Sequence, residues 1–317
     1  MQLKTVLNNF LLIISFSIIF SYQFDGTGYS NIYAINKLSN KSLIKLPFRL
    51  LSYDLTISDL TSENNISIHA NWGIEHKINN FNSKNSLSSM MYDLISIQNV
   101  DYSSGFRELY FTVENSISEI RIGRQLHTWG AVDANSPLDF LNPTDYYYLF
   151  TDSDETKIGK ISFLLDLYFK ESYKLQLLVM PNHTSNNIPL NDPDFPITLP
   201  ASVQNYQFLD SYKKPEIGAY IQKSFNNMDW TFSYFSGFDR NYNLYGANVF
   251  LDDFDINSVT DTVFSFRQTD MIALSNVSFI DNLTLRADIA YFKTSSGNQS
   301  IENRLYSGKD PISEFLD

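Results

Sequence analysis

Apolar and polar residues alternate singly along much of the chain, the period of two that a β-strand imposes on its side chains. Leu51, Tyr53, Leu55 and Ile57 alternate with Ser52, Asp54, Thr56 and Ser58, and Ile66, Ile68, Ala70, Trp72 and Ile74 with Ser67, His69, Asn71, Gly73 and Glu75. Leu109, Phe111 and Val113 oppose Glu108, Tyr110, Thr112 and Glu114. After a turn at 115–117, Ile120 and Ile122 oppose Glu119, Arg121, Gly123 and Gln125. The pattern returns in Ile161–Phe169, Leu175–Val179, Ile217–Ile221 and Trp230–Tyr234. A less regular strand at Met271–Phe279 is followed by Leu283, Leu285, Ala287, Ile289 and Tyr291, with Thr284, Arg286 and Asp288 opposite. Counted this way the chain holds about ten strands.

Connection lengths sort the strands into a topology. Short turns at 59–64, 115–117, 170–172, 225–228 and 280–282 alternate with long polar segments near 77–104, 128–158, 181–214 and 238–262. Turns at one end and long loops at the other predict an all-β, transmembrane, antiparallel up-and-down β-barrel with periplasmic turns and extracellular loops. A soluble β-sandwich would mix loop lengths at both ends and carry polar outer faces where these strands place Ile, Leu and Phe.

Three regions follow. Lys4, the apolar run Phe10–Phe20 and the small Ser21 fit a secretory signal peptide over residues 1–21. That run is too short for a spanning helix, which needs about 20 apolar residues. Residues 22–46 lack clear periodicity and read as an exported N-terminal segment, and 47–317 read as the barrel. The final stretch SGKDPISEFLD reads as a loop where a closing strand is expected, so the barrel is expected to be incomplete in this chain, a truncated reading frame, or unconventionally closed.

Composition narrows the partners. Aromatic residues make up 15% of the chain, with Tyr 20 and Phe 25, yet the mean hydropathy is -0.20, the balance that alternating strands produce. A net charge of -12 argues against a nucleic-acid partner, which requires a basic face. With Cys 0 there is no disulfide, thiolate metal site or Cys nucleophile. The histidines share no HxxxH or HExxH spacing and no GxSxG turn is present, so neither a zinc site nor a serine hydrolase is indicated. The acidic groups Asp152, Asp154, Glu155 and Asp192, Asp194 lack the EF-hand spacing and read as solvated loop surface. Tyr146, Tyr147 and Tyr148 read as part of a membrane-interface girdle.

The stretch 106–145 carries a resemblance. RELYF, RIGRQ, WG, a following Asp and LNPTD, at Arg107, Glu108, Arg121, Gly123, Arg124, Gln125, Trp129, Gly130, Asp133, Asn142, Pro143 and Asp145, resemble the signature region of an uncharacterised family of Gram-negative outer-membrane β-barrels. That family is similar to alginate-export porins. The resemblance implies an outer-membrane location and no catalytic residue, cofactor or resident metal.

Candidate pore-lining residues come from strand parity: His69, Glu108, Tyr110, Glu119, Arg121, Gln125, Arg286 and Asp288 share the polar faces. Opposed charges across a water-filled lumen order water and sort solutes by charge. His69 could bind a ligand, although a wet lumen accommodates a lone histidine without function. Arg124 falls on the apolar parity and marks either a bulge or the edge of the membrane. The loop motif Trp129, Gly130, Asp133, Asn142, Pro143 and Asp145 is expected to fold at the extracellular end and partly enter the pore. The expected function is passive diffusion of small hydrophilic or anionic solutes, with outer-membrane lipid as the other partner. Competing readings are a structural or adhesive barrel with partner-binding loops and, more remotely, an outer-membrane lipase. Oligomeric state has no signal in the sequence.

Overall fold

A computed structural model of the chain describes residues 23–30, 35–36, 43–44, 48–58, 65–76, 97–98, 102–133, 136–148, 156–170, 172–188, 205–208, 214–250, 259–295 and 312–315. The strands in chain order are β1 (Gln23–Tyr29), β2 (Ile35–Asn36), β3 (Leu43–Ile44), β4 (Phe48–Ser58), β5 (Asn65–His76), β6 (Ile97–Gln98), β7 (Tyr102–Glu114), β8 (Ser118–Gln125) and β9 (Lys160–Phe169). They continue as β10 (Tyr173–Met180), β11 (Asn205–Phe208), β12 (Glu216–Ser224), β13 (Met228–Phe238), β14 (Asn243–Phe250), β15 (Val259–Ser265), β16 (Gln268–Ile280), β17 (Leu283–Ser295) and β18 (Ile312–Phe315).

One large antiparallel sheet runs in the order β1-β4-β5-β7-β8-β9-β10-β12-β13-β16-β17, with β6 beside β7. Its edges are β1 and β17, which are not paired with each other among the described residues. The all-β expectation and the up-and-down order along this path agree with the structure. A smaller sheet, β11-β15-β14-β18, adds a parallel pair, β11 with β15, to the otherwise antiparallel arrangement.

The hairpins form where the alternation places them. Asn115 closes the β7–β8 turn: its side-chain oxygen accepts from the Ile117 and Ser118 amides at 3.0 and 2.9 Å. Lys170 and Asp281, at φ 51, take the left-handed conformation in the β9–β10 and β16–β17 turns. The expected turn at 59–64 lies outside the described residues, as do the signal peptide at 1–21 and the acidic groups near 152 and 192.

Several stretches differ from the periodicity reading. Gln23–Tyr29, inside the segment without clear periodicity, is a strand paired with β4 from Gln23 opposite Ser58 to Tyr29 opposite Ser52. Its sequence QFDGTGY is exposed throughout, so no buried face imposes alternation on it. Part of the expected loop at 238–262 is the antiparallel pair β14–β15, and Asn205–Phe208 within the expected loop at 181–214 is β11, paired with β15. The final stretch, expected as a loop, contains β18 (Ile312–Phe315), which pairs with β14.

The two faces of the large sheet differ sharply. On one, Phe111, Ile122, Phe163, Val179 and Ile217 form a row of directly paired, exposed residues, flanked by Phe232, Leu274 and Ile289 in the same register across β13, β16 and β17. On the other lie Thr112, Leu164, Leu178, Phe235 and Met271, all less than a tenth exposed. Residues 126–133 and 136–148 pack on this second face, hereafter the inner face. The core is therefore formed by a loop on a sheet: Trp129, Leu138 and Leu141 against Leu164, Leu178, Met180, Phe235, Met271 and Ala273.

Candidate functional site

The loop after β8 is held on the inner face by anchors that explain its unusual composition. Trp129 is 6% exposed; its Nε1 donates to Gln176 Oε1 at 2.7 Å, and Gln176 Nε2 donates to Asp166 Oδ1 at 2.7 Å. Its ring meets Tyr220 edge-on at 5.6 Å. Gly130 follows at φ 97, and a Cβ there would lie 2.7 Å from Asp288 Oδ2. The WG pair thus combines a buried aromatic anchor with a residue small enough for a carboxylate to approach the backbone.

Asp288 is the second anchor. Its carboxylate accepts from the Ala131 amide at 2.9 Å, the Val132 amide at 3.1 Å and Ser136 Oγ at 2.7 Å. Arg286, two residues earlier on β17, pairs with Asp133. Asp288 is seven positions from the Ser295 end of β17, so the loop reaches about 20 Å down the sheet at the rise of a strand.

A third anchor is a buried ionic cluster. Glu216 on β12 is 0% exposed and faces Arg240 Nη1 at 2.7 Å, His183 Nδ1 at 3.0 Å and Lys160 Nζ. Arg240 also donates to the Phe140 and Leu141 carbonyls at 3.0 and 2.9 Å, which ties the loop's first 3-10 turn at Asp139–Leu141 to the sheet. His183 lies outside the strands, and burial is the main cause that lowers its pKa to about 4, so it faces Glu216 as a neutral ring at neutral pH.

The LNPTD segment closes the loop back onto its own root. Asn142 accepts from the His127 amide at 2.8 Å and returns a hydrogen bond to the His127 carbonyl at 2.5 Å. The Pro143 carbonyl accepts from the Ile158 amide at 2.9 Å. Asp145 Oδ1 accepts from the Tyr147 amide and from Asn187 Nδ2, both at 3.1 Å. Tyr147 and Tyr148 are consequently buried, at 8% and 2% exposure, which corrects the expectation of an interfacial girdle at 146–148. Tyr146, partly buried, packs against these two, so the tyrosines serve the loop module.

The parity candidates fall on the inner face in two groups. His69, Glu108, Tyr110, Glu119 and Arg121 lie together on β5, β7 and β8. His69 lies against the Tyr110 ring at 4.7 Å in a tilted arrangement, Arg121 Nε binds Glu119 Oε1 at 2.5 Å, and the Arg121 guanidinium lies 5.9 Å from the Tyr110 ring centre. Glu108 Oε1 accepts from the Leu126 amide at 2.7 Å, at the root of the loop. Arg286 and Asp288 lie on β17, under the loop. Gln125 is 1% exposed and donates to the Ser162 carbonyl at 3.3 Å, so it is enclosed beneath the loop root.

Arg124 is buried, with 7% exposure, and Gly123 beside it has φ 139. The bulge lies across the hairpin on β7, where Asn71 opposes Glu108 but Trp72 opposes Phe106, leaving Arg107 as the extra residue. Arg107 Nη2 donates to the Lys157 carbonyl at 2.9 Å. No group of His, Cys, Asp and Glu side chains fit to hold a metal occurs among the described residues.

Sequence reasoning missed the Glu216 cluster, whose members come from 160, 183, 216 and 240 and carry no local motif. Lys160 and Glu216 each open a strand as a charged residue on inner-face parity beside apolar neighbours, and that is the signal that could have marked them.

Comparison with known proteins adds little. No family model matches the chain, and no curated protein matches it by sequence. The crystal structure of Pseudomonas aeruginosa OccK2 (OpdF) is similar with a TM-score of 0.34 and 10% sequence identity, over 87% of this chain and 60% of that one.

Proposed function

We propose that this chain forms a porin-like outer-membrane β-barrel that passes small hydrophilic solutes by diffusion and performs no reaction. The carrying observation is the opposition of the two sheet faces. Exposed Phe, Ile, Leu and Trp side chains cover one, including Phe163, Ile217, Trp230 and Ile272, while the other carries ionised residues and an inserted loop. An apolar outside and a polar inside suit strands that separate lipid from water. Such a barrel also requires the edges of β1 and β17 to be paired, because an open edge in hydrocarbon leaves backbone groups unsatisfied.

Within this reading the loop 126–148 is the constriction. It covers the inner face over β9 to β17 and leaves the wall of β4, β5, β7 and β8 facing the lumen, with Asp54, His69 and Arg121 partly exposed. His69, Glu108, Tyr110, Glu119 and Arg121 line that wall, Arg286 and Asp288 hold the loop, and outer-membrane lipid meets the apolar face.

A second reading, a structural or adhesive barrel with a filled lumen, is favoured by one specific observation. Leu138 and Leu141 are 0% exposed against the sheet, so that half of the interior is dry. Conductance of the folded protein in a planar bilayer separates the two. Stable ion-conducting steps that grow when Asp288→Ala releases the loop support the channel; an electrically silent protein in both forms supports the filled barrel.

A further inference from the structure

On the wall beside the loop's root, three neighbouring strands bring two carboxylates to one imidazole. Asp54 Oδ1 on β4 and Glu108 Oε2 on β7 each lie 3.7 Å from Nε2 of His69 on β5. The arrangement is held from outside the trio. Asn71 Nδ2 donates to Asp54 Oδ1 at 2.8 Å, the Leu126 amide holds the other oxygen of Glu108, and Thr56 Oγ1 lies 3.2 Å from His69 Nδ1.

Apart from Glu114 and Asp229, which sit at the turn ends of their strands, charge accounting over the described inner-face side chains singles these carboxylates out. The basic side chains described there all have acidic partners: Arg121 has Glu119, Lys174 has Asp166 at 2.9 Å, Lys160 has Glu216 and Arg286 has Asp133. Asp288 is occupied by the loop amides. Among the described residues no Lys or Arg salt bridge reaches Asp54 or Glu108, whose ionic neighbour is His69. The two carboxylates bring negative charge to the wall that the loop leaves uncovered.

We propose that Asp54 and Glu108, set on either side of His69, form a cation-selecting element of the lumen: they favour small cations over anions. This rests on the channel reading and replaces its anionic expectation with a charge class. Other charged and titratable groups facing the trio are Tyr110 on β7 and Arg121 and Glu119 on β8, and the last two offset each other.

The test is the reversal potential of the full chain in a planar bilayer under a potassium chloride gradient. The wild type is expected to prefer potassium to chloride. Asp54→Asn with Glu108→Gln is expected to lower the cation-to-anion permeability ratio by at least roughly fivefold, the effect that one of the two lost charges has on an ion about 4 Å away in water. If that variant does not fold, Asp54→Asn alone decides, with a smaller fall in the same direction expected. A conducting protein that prefers anions, or whose selectivity neither substitution moves, overturns the inference while leaving the channel intact. Absence of conductance in every form overturns the channel reading and this inference with it.

Discussion

The indole of Trp129 occupies the space that a side chain at position 218 would need. A Cβ on Gly218 would lie 2.7 Å from Trp129 Cη2 and 3.5 Å from Phe235 Cδ2, with the indole itself fixed by its bond to Gln176. The loop and β12 are thus fitted to each other at a single missing methyl group. Gly218→Val is expected to expel the indole at a cost of about 1–3 kcal/mol, the usual range for overpacking. Trp129 emission, read with Trp72 and Trp230 replaced by Phe, shifts to the red if the indole leaves its site.

Glu216 is expected to be the residue whose loss harms folding most. Glu216→Ala leaves Lys160 and Arg240, at 2% and 3% exposure, facing each other without a counter-charge. Breaking a buried ionic group in this way costs about 3–5 kcal/mol. Urea unfolding followed by electrophoretic mobility of the folded form measures it, and Asp133→Ala, whose pair with Arg286 is exposed, is the control with a small effect.

Adjacent positions on β9 are expected to fail in different solvents. Phe163, 39% exposed on the apolar face, should cost about 2–4 kcal/mol when replaced by Arg in a vesicle-inserted protein, because the charge then meets hydrocarbon. Leu164, 3% exposed beneath the loop, should cost about 2–5 kcal/mol as Ala in any medium, through the cavity left behind. Refolding yields in lipid vesicles and in detergent, compared for both variants, give the measurement.

Acid is expected to loosen the loop root. His127, outside the strands, donates or accepts at Ser162 Oγ through Nε2 at 2.9 Å, and burial is the main cause that lowers its pKa from 6.5 to about 3. The folded state therefore holds fewer protons than the unfolded state between these values. The stability is fully present above about pH 6.5 and is lost as pH falls towards about 3. Protease cleavage within 126–148, followed from neutral to acidic pH, should rise over that window, and His127→Gln should flatten the rise.

The hairpins were legible because both faces of each strand have a distinct environment, so residues such as Phe111 and Thr112 report their sides by polarity alone. β1 was illegible for the converse reason: QFDGTGY is exposed on both faces, so alternation has nothing to enforce. The loop's turn formers announced a folded segment, but its docking partners did not announce themselves. Asp288 looks on parity like any lumen carboxylate, and its role depends on amides more than 150 positions earlier, separated from Ala131 by 157 residues. The tyrosines at 146–148 misled because composition cannot separate an interfacial aromatic from one buried by its own loop.

That separation also sets an order of events during assembly. Residues 126–148 leave the ribosome, and cross any membrane, before β12, Arg240 and β17 exist to receive them. Contacts this distant along the chain form late, since the intervening segment must be closed into a loop first. Until β17 arrives, Trp129, Leu138 and Leu141 are apolar residues without their seat, and the nascent sheet is at its most aggregation-prone. Seating the loop is therefore the closing step of folding, and a chaperone that shields this segment would act on the interval before it.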